Sequence, residues 1–319
     1  MIPTPIELSD PVYSSEDAAR LHMEMVRWPD GVVCPHPNCG SKTGARPVQG
    51  DSMGPGWFYC TACQDKFTVR TGTVWERSHI PLHKWLLATR LMASSKKGIS
   101  AHQIHRTLKI TYKSAWFLCH RIREAMADND PAPLGGEDQV VEADETFIGP
   151  SKETFTNDKG WQRERGTGSK RKVLSLVERG GRVRSVKIET LQVQDIQKVV
   201  TKHVSPRSEL HTDDANHYVA IGRKFAAHEV VTHSAGEYAR GSVTTNNVEG
   251  YFSIFKRGMI GIYQHCGEQH LQRYLHEFDF RYSNRARLGI DDAHRTTLAL
   301  KGAEGKRLTY RRLDGSQSA

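Results

Sequence analysis

Residues Val140–Gly149 read VVEADETFIG, a short apolar run that carries Asp144 at its centre and ends on a glycine. A run of this length that is bounded by a turn residue is typical of a buried strand. Neighbouring residues on a strand point to opposite faces, so Asp144 and Glu145 would lie on different sides of the sheet. We therefore expect this strand to present Asp144, rather than Glu145, at a functional site.

Two later segments supply further acidic side chains. The segment ELHTD ends a second apolar run at Asp213, and the segment NNVE opens a helical pattern that contains Glu249. Thirty-five residues lie between these two acids, and Lys256 follows seven residues after Glu249. Two acids on strands and one on a helix are what a two-metal phosphoryl-transfer site of the DDE type requires, because Mg²⁺ prefers oxygen ligands. The predicted catalytic metal ligands are therefore Asp144, Asp213 and Glu249.

The helix that contains Glu249 has an alternative interpretation. At about 100° per residue, Glu249 and Lys256 lie together on the border of an apolar stripe, which would direct both toward the two aspartates. The stripe consists of Val248, Phe252, Phe255 and Met259. In the alternative, Asn246 is the N-cap of the helix and Glu249 is its partner in a capping box. Asp214 competes for the second acid position, but Asp213 directly ends the apolar run.

The order of elements after residue 136 predicts the fold class. A strand at 140–148 is followed by a basic loop, a hairpin with strands at 172–178 and 182–189, a helix at 193–203 and a strand that ends at 213. A short helix near 215–221, a strand at 228–232 and a helix at about 247–259 come next. This is the order of the α/β RNase H-like fold, whose mixed sheet has the first strand at its centre. In that fold Asp144 and Asp213 would lie on neighbouring strands, within a catalytic domain at 137–290.

Four cysteines in one small segment indicate a zinc ribbon at residues 31–72. Cys34 and Cys39 form one pair, Cys60 and Cys63 form the other, and strand-forming residues precede each pair. Four thiolates close a tetrahedral structural zinc site. Because the first pair has four intervening residues, His36 is an alternative ligand, and disulfides are a further alternative to zinc.

The segments on either side of the ribbon are predicted to be helical. Within residues 1–30, a helix at 14–28 has an apolar side made of Ala18, Leu21, Met25 and Trp28. Residues 73–130 predict three helices, of which Ser100 caps the second and the third extends over 112–126. Their arrangement matches a helix-turn-helix in which Lys113, Arg121 and Arg123 contact DNA. The alternative is a three-helix bundle that does not bind DNA.

The chain is basic, and its basic residues are unevenly distributed. The 319 residues carry a formal charge of +9, which indicates a polyanionic partner. The basic loop contributes Lys170, Arg171 and Lys172, the helix at 247–259 contributes Arg257, and residues 291–319 are predicted to be a basic C-terminal tail. No apolar stretch reaches the roughly 18–20 residues that span a bilayer, and no secretory signal is evident, so we expect a cytoplasmic protein.

Two further groups of polar residues are expected to be structural. The histidines, among them His211 and His217, are scattered, and this spacing favours core or surface roles over metal binding. Glu277 and Arg281 lie one helical turn apart and are expected to pair across a helix.

Several motifs follow one another from the ribbon to about residue 290. They include AWFLCHRIR, VEADETFIG, HTDDANHY and TNNVEGYFSIFKRGMIGIY. Together they resemble the bacterial insertion-sequence transposases of the ISXO2-like group. The resemblance implies a DDE transposase that binds the terminal inverted repeats of its own element, cuts DNA with a metal-activated water and joins the freed 3′-hydroxyl to a target.

The resemblance also implies roles for particular residues. Asp144 and Asp213 correspond to the first and second acids, and Lys256 to a downstream lysine that contacts a phosphate. The third position is Glu249 or Asn246, and we favour Glu249 because a carboxylate neutralises Mg²⁺ whereas an amide does not. The implied cofactors are Mg²⁺ or Mn²⁺ at the catalytic site and structural Zn²⁺. The implied partners are double-stranded DNA of the element ends and the target, and further copies of this chain on DNA at the nucleoid.

Two other functions fit parts of the sequence. A sequence-specific DNA-binding regulator derived from a transposase would keep the ribbon and the helices, but it would not need the acids. A nuclease would use the same acids to hydrolyse DNA without joining it. The presence of all three acids argues against the regulator, and a strand-transfer assay separates the nuclease from the transposase.

Overall fold

The computed structural model describes residues 7–49, 53–128, 131–149, 153–156, 158, 160–163, 167, 170–232, 235–237 and 239–309. The chain divides into two compact units. The first falls within Met1–Ser95, Ile99–Ala127 and Gly289–Ala319, and the second within Lys96–Gly98 and Asp128–Leu288. Among these described residues, no helix has the length and apolar character to cross a bilayer.

The first unit combines a small antiparallel sheet with helices from both ends of the sequence. Its elements are α1 (Glu16–Arg27), β1 (Ala45–Pro47), β2 (Phe58–Cys60), β3 (Lys66–Phe67), α2 (Leu82–Ser94), α3 (Ala101–Leu108), α4 (Tyr112–Met126) and α9 (Asp292–Lys301). The side chain of Ser100 accepts a hydrogen bond from the Gln103 amide, and that of Thr111 accepts one from the Ser114 amide. These local caps fix where α3 and α4 begin, and the cap at Ser100 was predicted from the sequence.

Helix α1 buries a different face from the predicted one. Its buried side chains are Ala19, His22, Met23 and Val26. Leu21 and Met25 are 57 % and 52 % exposed, so the prediction of an apolar stripe through these two residues was wrong. The polar residue His22 lies within the buried stripe, and apolar spacing alone therefore did not identify the face that contacts α2 and α9.

The predicted basic tail was wrong for the segment that forms α9. This helix packs against α2 and buries Ala299 and Leu300. Asp291 caps it by accepting a hydrogen bond of 2.7 Å from the His294 amide. Further on, the Lys306 ammonium group donates to the Glu124 carbonyl at the end of α4, over 3.1 Å. The basic bias of the segment concealed a helix, and residues 310–319 lie outside the described part of the chain.

The second unit is an α/β unit with helices on both sides of a sheet. Its elements are β4 (Val140–Ile148), β5 (Glu153–Thr156), β6 (Gly160–Arg163), β7 (Arg171–Glu178), β8 (Val183–Ile188), α5 (Val193–His203), β9 (Glu209–Asp213), α6 (His217–Gly222), β10 (Ala227–Val231), β11 (Ala239–Arg240), β12 (Val243–Thr244), α7 (Asn246–Gly258) and α8 (Leu271–Ser283). A short π-helix at Met259–Tyr263 follows α7.

The main sheet has five strands in the order β10-β9-β4-β7-β8. Strand β4 is antiparallel to β7 and parallel to β9. This central position of the first strand is the RNase H-like arrangement that the sequence predicted. Val140 pairs with Glu209 and Glu142 with His211. The same offset, continued for two residues, brings Asp144 level with Asp213.

The two faces of the sheet are covered by different helices. Val141 and Ala143 pack with α5 and α6, whereas Ile148 packs with α7 and α8. The predicted apolar stripe of α7 is buried against this second face, together with Tyr251. Odd-numbered and even-numbered residues of β4 therefore face opposite layers, as the strand period requires.

Two connecting segments are more structured than predicted. Strands β5 and β6 pair within the region predicted to be a basic loop. Several residues of that region, including Lys159, lie outside the described part of the chain. The segment between the predicted helices at 73–130 and the predicted catalytic domain also joins the second unit, because Leu134 is fully buried and its amide donates to the His203 carbonyl over 2.8 Å.

Candidate active site and zinc site

Asp144 and Asp213 lie on neighbouring parallel strands. The Asp144 Oδ1 atom accepts a hydrogen bond of 2.7 Å from the Glu145 amide. The Asp213 Oδ1 atom accepts one of 3.2 Å from the Ala215 amide, at the start of the turn into α6. These contacts hold each carboxylate close to its own strand and leave its other oxygen for a ligand. The two predicted acids are therefore brought together by strand register.

The pKa of Asp144 is raised to about 8. Burial is the largest cause, and the negative charges of Glu145, Asp213 and Glu249 add to it. Burial also raises the pKa of Asp213. A part-buried cluster of carboxylates repels itself, and a divalent cation would offset this repulsion while accepting the oxygen ligands it prefers. The residues present thus fit a divalent metal site.

Helix α7 supplies Glu249, within electrostatic range of Asp144. The helix begins at Asn246 and its N-cap is Thr245, so the capping-box alternative with Asn246 as N-cap was wrong. The Glu249 carboxylate instead accepts a hydrogen bond of 3.5 Å from the Thr245 hydroxyl. The side chains of Asn246, Glu249 and Lys256 are all exposed, and a ligand in solution can approach each of them.

Glu145 is held on the opposite side of the strand from Asp144. Its Oε1 atom accepts hydrogen bonds from the Tyr218 hydroxyl at 2.6 Å and from His217 Nε2 at 3.1 Å. Burial lowers the pKa of His217, but the hydrogen bond to Glu145 and its negative charge raise it by more. His217 therefore has a structural role beside the acid cluster, as sequence analysis expected. The sequence did not identify Tyr218 as its neighbour in this role.

Glu142 is a second residue that sequence reasoning missed. It lies two residues before Asp144 on the same face of β4, and its side chain is fully buried. The sequence did contain a signal for it, namely an acidic residue two positions from Asp144 within a strand that was predicted to be buried. Its carboxylate accepts hydrogen bonds from the first turn of α7.

The four ribbon cysteines form one cluster. Their Sγ atoms all lie within 4.8 Å of one another, with 3.7 Å between Cys34 and Cys63 and 3.6 Å between Cys39 and Cys60. A tetrahedral zinc site with Zn–S bonds of about 2.3 Å has sulfur–sulfur edges of about 3.8 Å. The cluster therefore fits zinc. Cys34, Cys39, Cys60 and Cys63 form no disulfide with one another, which contradicts the disulfide alternative.

His36 lies beside this cluster. Its Nδ1 atom is 3.3 Å from Cys34 Sγ and 3.6 Å from Cys63 Sγ, while its Nε2 atom is 3.6 Å from an Asp65 oxygen. The four thiols already supply the four ligands that a tetrahedral site needs, without this imidazole. The Cys63 amide lowers the pKa of the Cys60 thiol to about 7, whereas burial raises the pKa of the Cys34 and Cys63 thiols. Zinc would offset the cost of holding all four as thiolates.

The predicted DNA-binding residues differ in exposure. Lys113 and Arg257 are exposed, whereas Lys170, Arg171 and Lys172 are half-buried. An Arg171 nitrogen donates to the Cys266 carbonyl over 2.5 Å. The surface position of Lys113 and Arg257 suits a phosphate contact.

Arg121 and Arg123 do not fit the predicted phosphate contacts. They are only 6 % and 2 % exposed. The Arg121 guanidinium group donates to the Glu76 carbonyl over 2.6 Å and lies 5.3 Å from the Trp85 ring centroid. Both arginines face the interior of the helical unit, and they are therefore removed from the candidate DNA surface. By contrast, the ion pair expected between Glu277 and Arg281 is confirmed.

Two segments of this chain match known protein families. Residues 133–283 match the ISXO2-like transposase domain, and residues 14–66 match the transposase zinc-ribbon domain. The first match contains all three candidate acids, and the second contains the four clustered cysteines. Together the two matches account for roughly two thirds of the sequence.

One relative and two solved structures are also similar. The chain is 26 % identical over 279 residues to an uncharacterized protein in the transposable element ISH50 of Halobacterium salinarum, covering 84 % of this chain and 91 % of that one. The Mos1 strand transfer complex is matched at 12 % identity and a TM-score of 0.22, over 64 % of this chain and 77 % of that one. The Drosophila P element transposase strand transfer complex is matched at 8 % identity and a TM-score of 0.27, over 71 % and 65 %. Both TM-scores are well below the level of a shared overall fold, so the family matches alone carry the assignment.

Proposed function

This chain belongs to the ISXO2-like transposases, and we propose that Asp144, Asp213 and Glu249 hold its divalent metal ions during DNA cleavage and strand transfer. The observation that carries this proposal is the parallel register of β4 and β9, which sets Asp144 level with Asp213. The pKa of Asp144 supports it, because burial raises it to about 8 and the charges of Asp213 and Glu249 add to the shift. Glu249 on α7 is near enough for its negative charge to act on Asp144. Neighbouring carboxylates repel one another, and a bound divalent cation would offset this repulsion.

The proposed metal is Mg²⁺ or Mn²⁺, bound as a pair. When bound, the pair assists the attacking and leaving oxygens of a phosphoryl transfer. The protein contributes position: strand register sets Asp144 beside Asp213, and α7 presents Glu249. Asn246, at the first position of α7, is the alternative third ligand. Lys256 lies two turns beyond Glu249 on the exposed side of the helix, where its ammonium group would contact a phosphate near the reacting end.

The proposed substrate is the double-stranded DNA of the element's terminal inverted repeats, joined to a target DNA. The ribbon and the helices α2–α4 of the first unit would bind this DNA, with Lys113 among the contacts. In the second unit, Arg257 and the half-buried Lys170, Arg171 and Lys172 would contact phosphates near the acids. Two DNA ends must be held together for transfer, so we also propose that the chain acts as an oligomer on DNA.

The test is Mg²⁺-dependent cleavage and joining of a labelled DNA that carries the element's own ends. Asp144→Asn and Asp213→Asn are expected to abolish both steps while DNA binding is retained. Asp214→Asn is the matched control, because Asp214 is the adjacent acid and is exposed. Its activity should stay near that of the wild type.

The same assay separates the remaining alternatives. A larger loss in Glu249→Gln than in Asn246→Ala assigns the third ligand to Glu249, and the reverse assigns it to Asn246. Cleavage without joining would identify a nuclease. Binding without cleavage in either Mg²⁺ or Mn²⁺ would overturn the proposal in favour of a regulator.

A further inference from the structure

Glu142 is a buried acidic residue that the proposed chemistry does not use. Its Oε2 atom accepts hydrogen bonds from the Asn247 amide at 2.8 Å and the Val248 amide at 3.1 Å. Its Oε1 atom accepts one from the Asn247 side-chain amide at 2.7 Å. The strand that carries Asp144 is thus joined directly to the helix that carries Glu249.

Helix α7 needs an acceptor of this kind. The first amides of a helix have no partner within the helix, and the N-cap Thr245 makes no side-chain cap. The Asn246 amide donates to the Thr244 hydroxyl at 3.1 Å, and Glu142 takes the next two amides. A negative charge is also favoured at this end of the helix dipole. A residue about a hundred positions earlier in the sequence therefore fixes where α7 begins.

Arg179 neutralises Glu142 and extends the contact. Its Nε and one terminal nitrogen lie 3.2 and 2.9 Å from Glu142 Oε1. The same guanidinium group donates to the Ser242 carbonyl at 2.9 Å and the Thr244 carbonyl at 3.3 Å. These carbonyls belong to the segment that leads into α7. Both the helix start and the chain before it are tied to one buried carboxylate.

We propose that Glu142 is a positioning residue that sets Glu249 relative to Asp144. Glu142 and Asp144 project from the same face of β4, and Glu249 follows directly after Val248, whose amide Glu142 holds. Any displacement of the helix start would move the third carboxylate away from the two aspartates. This inference rests on the proposed metal site, and it adds a residue that touches neither metal nor DNA.

The test measures Mn²⁺ affinity of the full-length protein from the free-Mn²⁺ signal in electron paramagnetic resonance. Glu142→Gln places an amide group against donors from Asn247, Val248 and Arg179, so at least one contact is lost. We expect Mn²⁺ to bind about tenfold more weakly, in line with other residues that orient metal ligands. The half-saturating Mg²⁺ concentration for strand transfer should rise in parallel, while affinity for DNA is unchanged.

Asp279→Asn is the matched control. Asp279 is a half-buried residue of α8 whose carboxylate contacts the middle of α7 rather than its first turn: it accepts hydrogen bonds from the Tyr251 hydroxyl at 2.6 Å and the Ser185 amide at 2.7 Å. Both Glu142→Gln and Asp279→Asn should lower the melting temperature, but only Glu142→Gln should weaken Mn²⁺ binding. A merely structural role for Glu142 would give both variants the same result.

The outcomes distinguish this inference from the proposed function. If Asp144→Asn loses Mn²⁺ binding and Glu142→Gln keeps wild-type affinity, the positioning role is overturned and the metal site stands. If Asp144→Asn binds Mn²⁺ like the wild type, the metal site itself is overturned, and the positioning role with it. If Glu142→Gln does not fold, Asn247→Ala replaces it, because it removes only the 2.7 Å side-chain contact. Unchanged Mn²⁺ affinity in that variant would overturn the role, and a smaller loss than the tenfold one would support it.

Discussion

The Tyr218 hydroxyl donates a hydrogen bond of 2.6 Å to Glu145, the residue that follows Asp144 in β4. Tyr218 itself is fully buried, in the helix that follows Asp213. This contact joins the segments of the first and second candidate acids from behind the site. Strand β4 is thus joined to α6 through Glu145, and separately to α7 through Glu142.

Replacing Tyr218 with Phe should destabilise the second unit. The substitution leaves Glu145 with one hydrogen-bond donor fewer in a buried place, at a cost of about 1–3 kcal/mol. In a unit of this size, each kcal/mol lowers the melting temperature by about 2–4 °C. The measurement is thermal unfolding followed by circular dichroism. Tyr13→Phe is the control, because within the described part of the chain the Tyr13 hydroxyl is buried without a hydrogen-bond partner. Equal losses in the two variants would contradict the role given to Tyr218.

The metal-free protein should lose stability as pH rises. The folded protein holds the pKa of Asp144 at about 8, above the 3.8 of an unperturbed aspartate. The folded state therefore binds the proton more tightly than the unfolded state, and the stability contributed by this proton is lost as pH rises from about 4 to about 8. Asp144→Asn removes this term, because its side chain stays neutral.

The measurement compares melting temperatures of wild type and Asp144→Asn at pH 5 and pH 8 in Mg²⁺-free buffer. The advantage of the variant should be larger at pH 8. Added Mg²⁺ should then raise the melting temperature of the wild type and leave that of the variant unchanged. An advantage that is the same at both pH values would show that Asp144 does not carry the raised pKa.

The ribbon should hold one zinc ion per chain through its four cysteines. Cys60→Ser removes one thiolate from a site whose closure stabilises the fold, so zinc content should fall and the first unit should melt at a lower temperature. His36→Ala tests the alternative ligand and should keep the zinc. Elemental analysis by inductively coupled plasma mass spectrometry measures both. Loss of zinc in the His36 variant would contradict the four-cysteine assignment and identify His36 as a ligand.

Lys113 and Arg121 should respond in opposite ways to replacement by Ala. Lys113 is exposed at the start of α4, so its loss should weaken binding to DNA of any sequence. The slope of the logarithm of the binding constant against the logarithm of the salt concentration should fall in magnitude by about one. Arg121 packs over Trp85 and binds the Glu76 carbonyl, so its loss should lower the melting temperature. Fluorescence anisotropy at several salt concentrations, beside thermal unfolding, measures the pair. Weaker DNA binding by Arg121→Ala at an unchanged melting temperature would restore its predicted phosphate contact.

Features that depend on neighbouring residues were readable from the sequence. Helix α5 occupies the predicted range of Val193–His203, and Ser100 caps α3 as expected. The strand that carries Asp144 was also predicted, whereas its place at the centre of the sheet followed from the order of elements in the RNase H-like fold. Side-chain period and capping act over a few residues, and this is why a single sequence contains them.

Features that depend on distant partners were not readable. The capping of α7 by Glu142 joins residues more than a hundred positions apart, and the Tyr218–Glu145 bond joins residues 73 positions apart. Arg121 looks like a surface residue until Glu76 and Trp85 are seen around it. Whether a charged side chain is buried depends on the groups that satisfy it, and their positions come from the tertiary fold.

Because α9 packs on α2, the first unit can complete its fold only late in synthesis of the chain. Arg295 of α9 donates to the Ala93 carbonyl at the end of α2 over 3.2 Å, so the side of α2 that faces α9 is covered only when residue 301 has been made. The intervening stretch Asp128–Leu288 takes roughly ten to thirty seconds to synthesise at about 5–20 residues per second. Throughout that interval the nascent chain carries a ribbon and helices with an open apolar side. A prematurely terminated chain would keep that side open permanently, which makes it a substrate for chaperones and proteases.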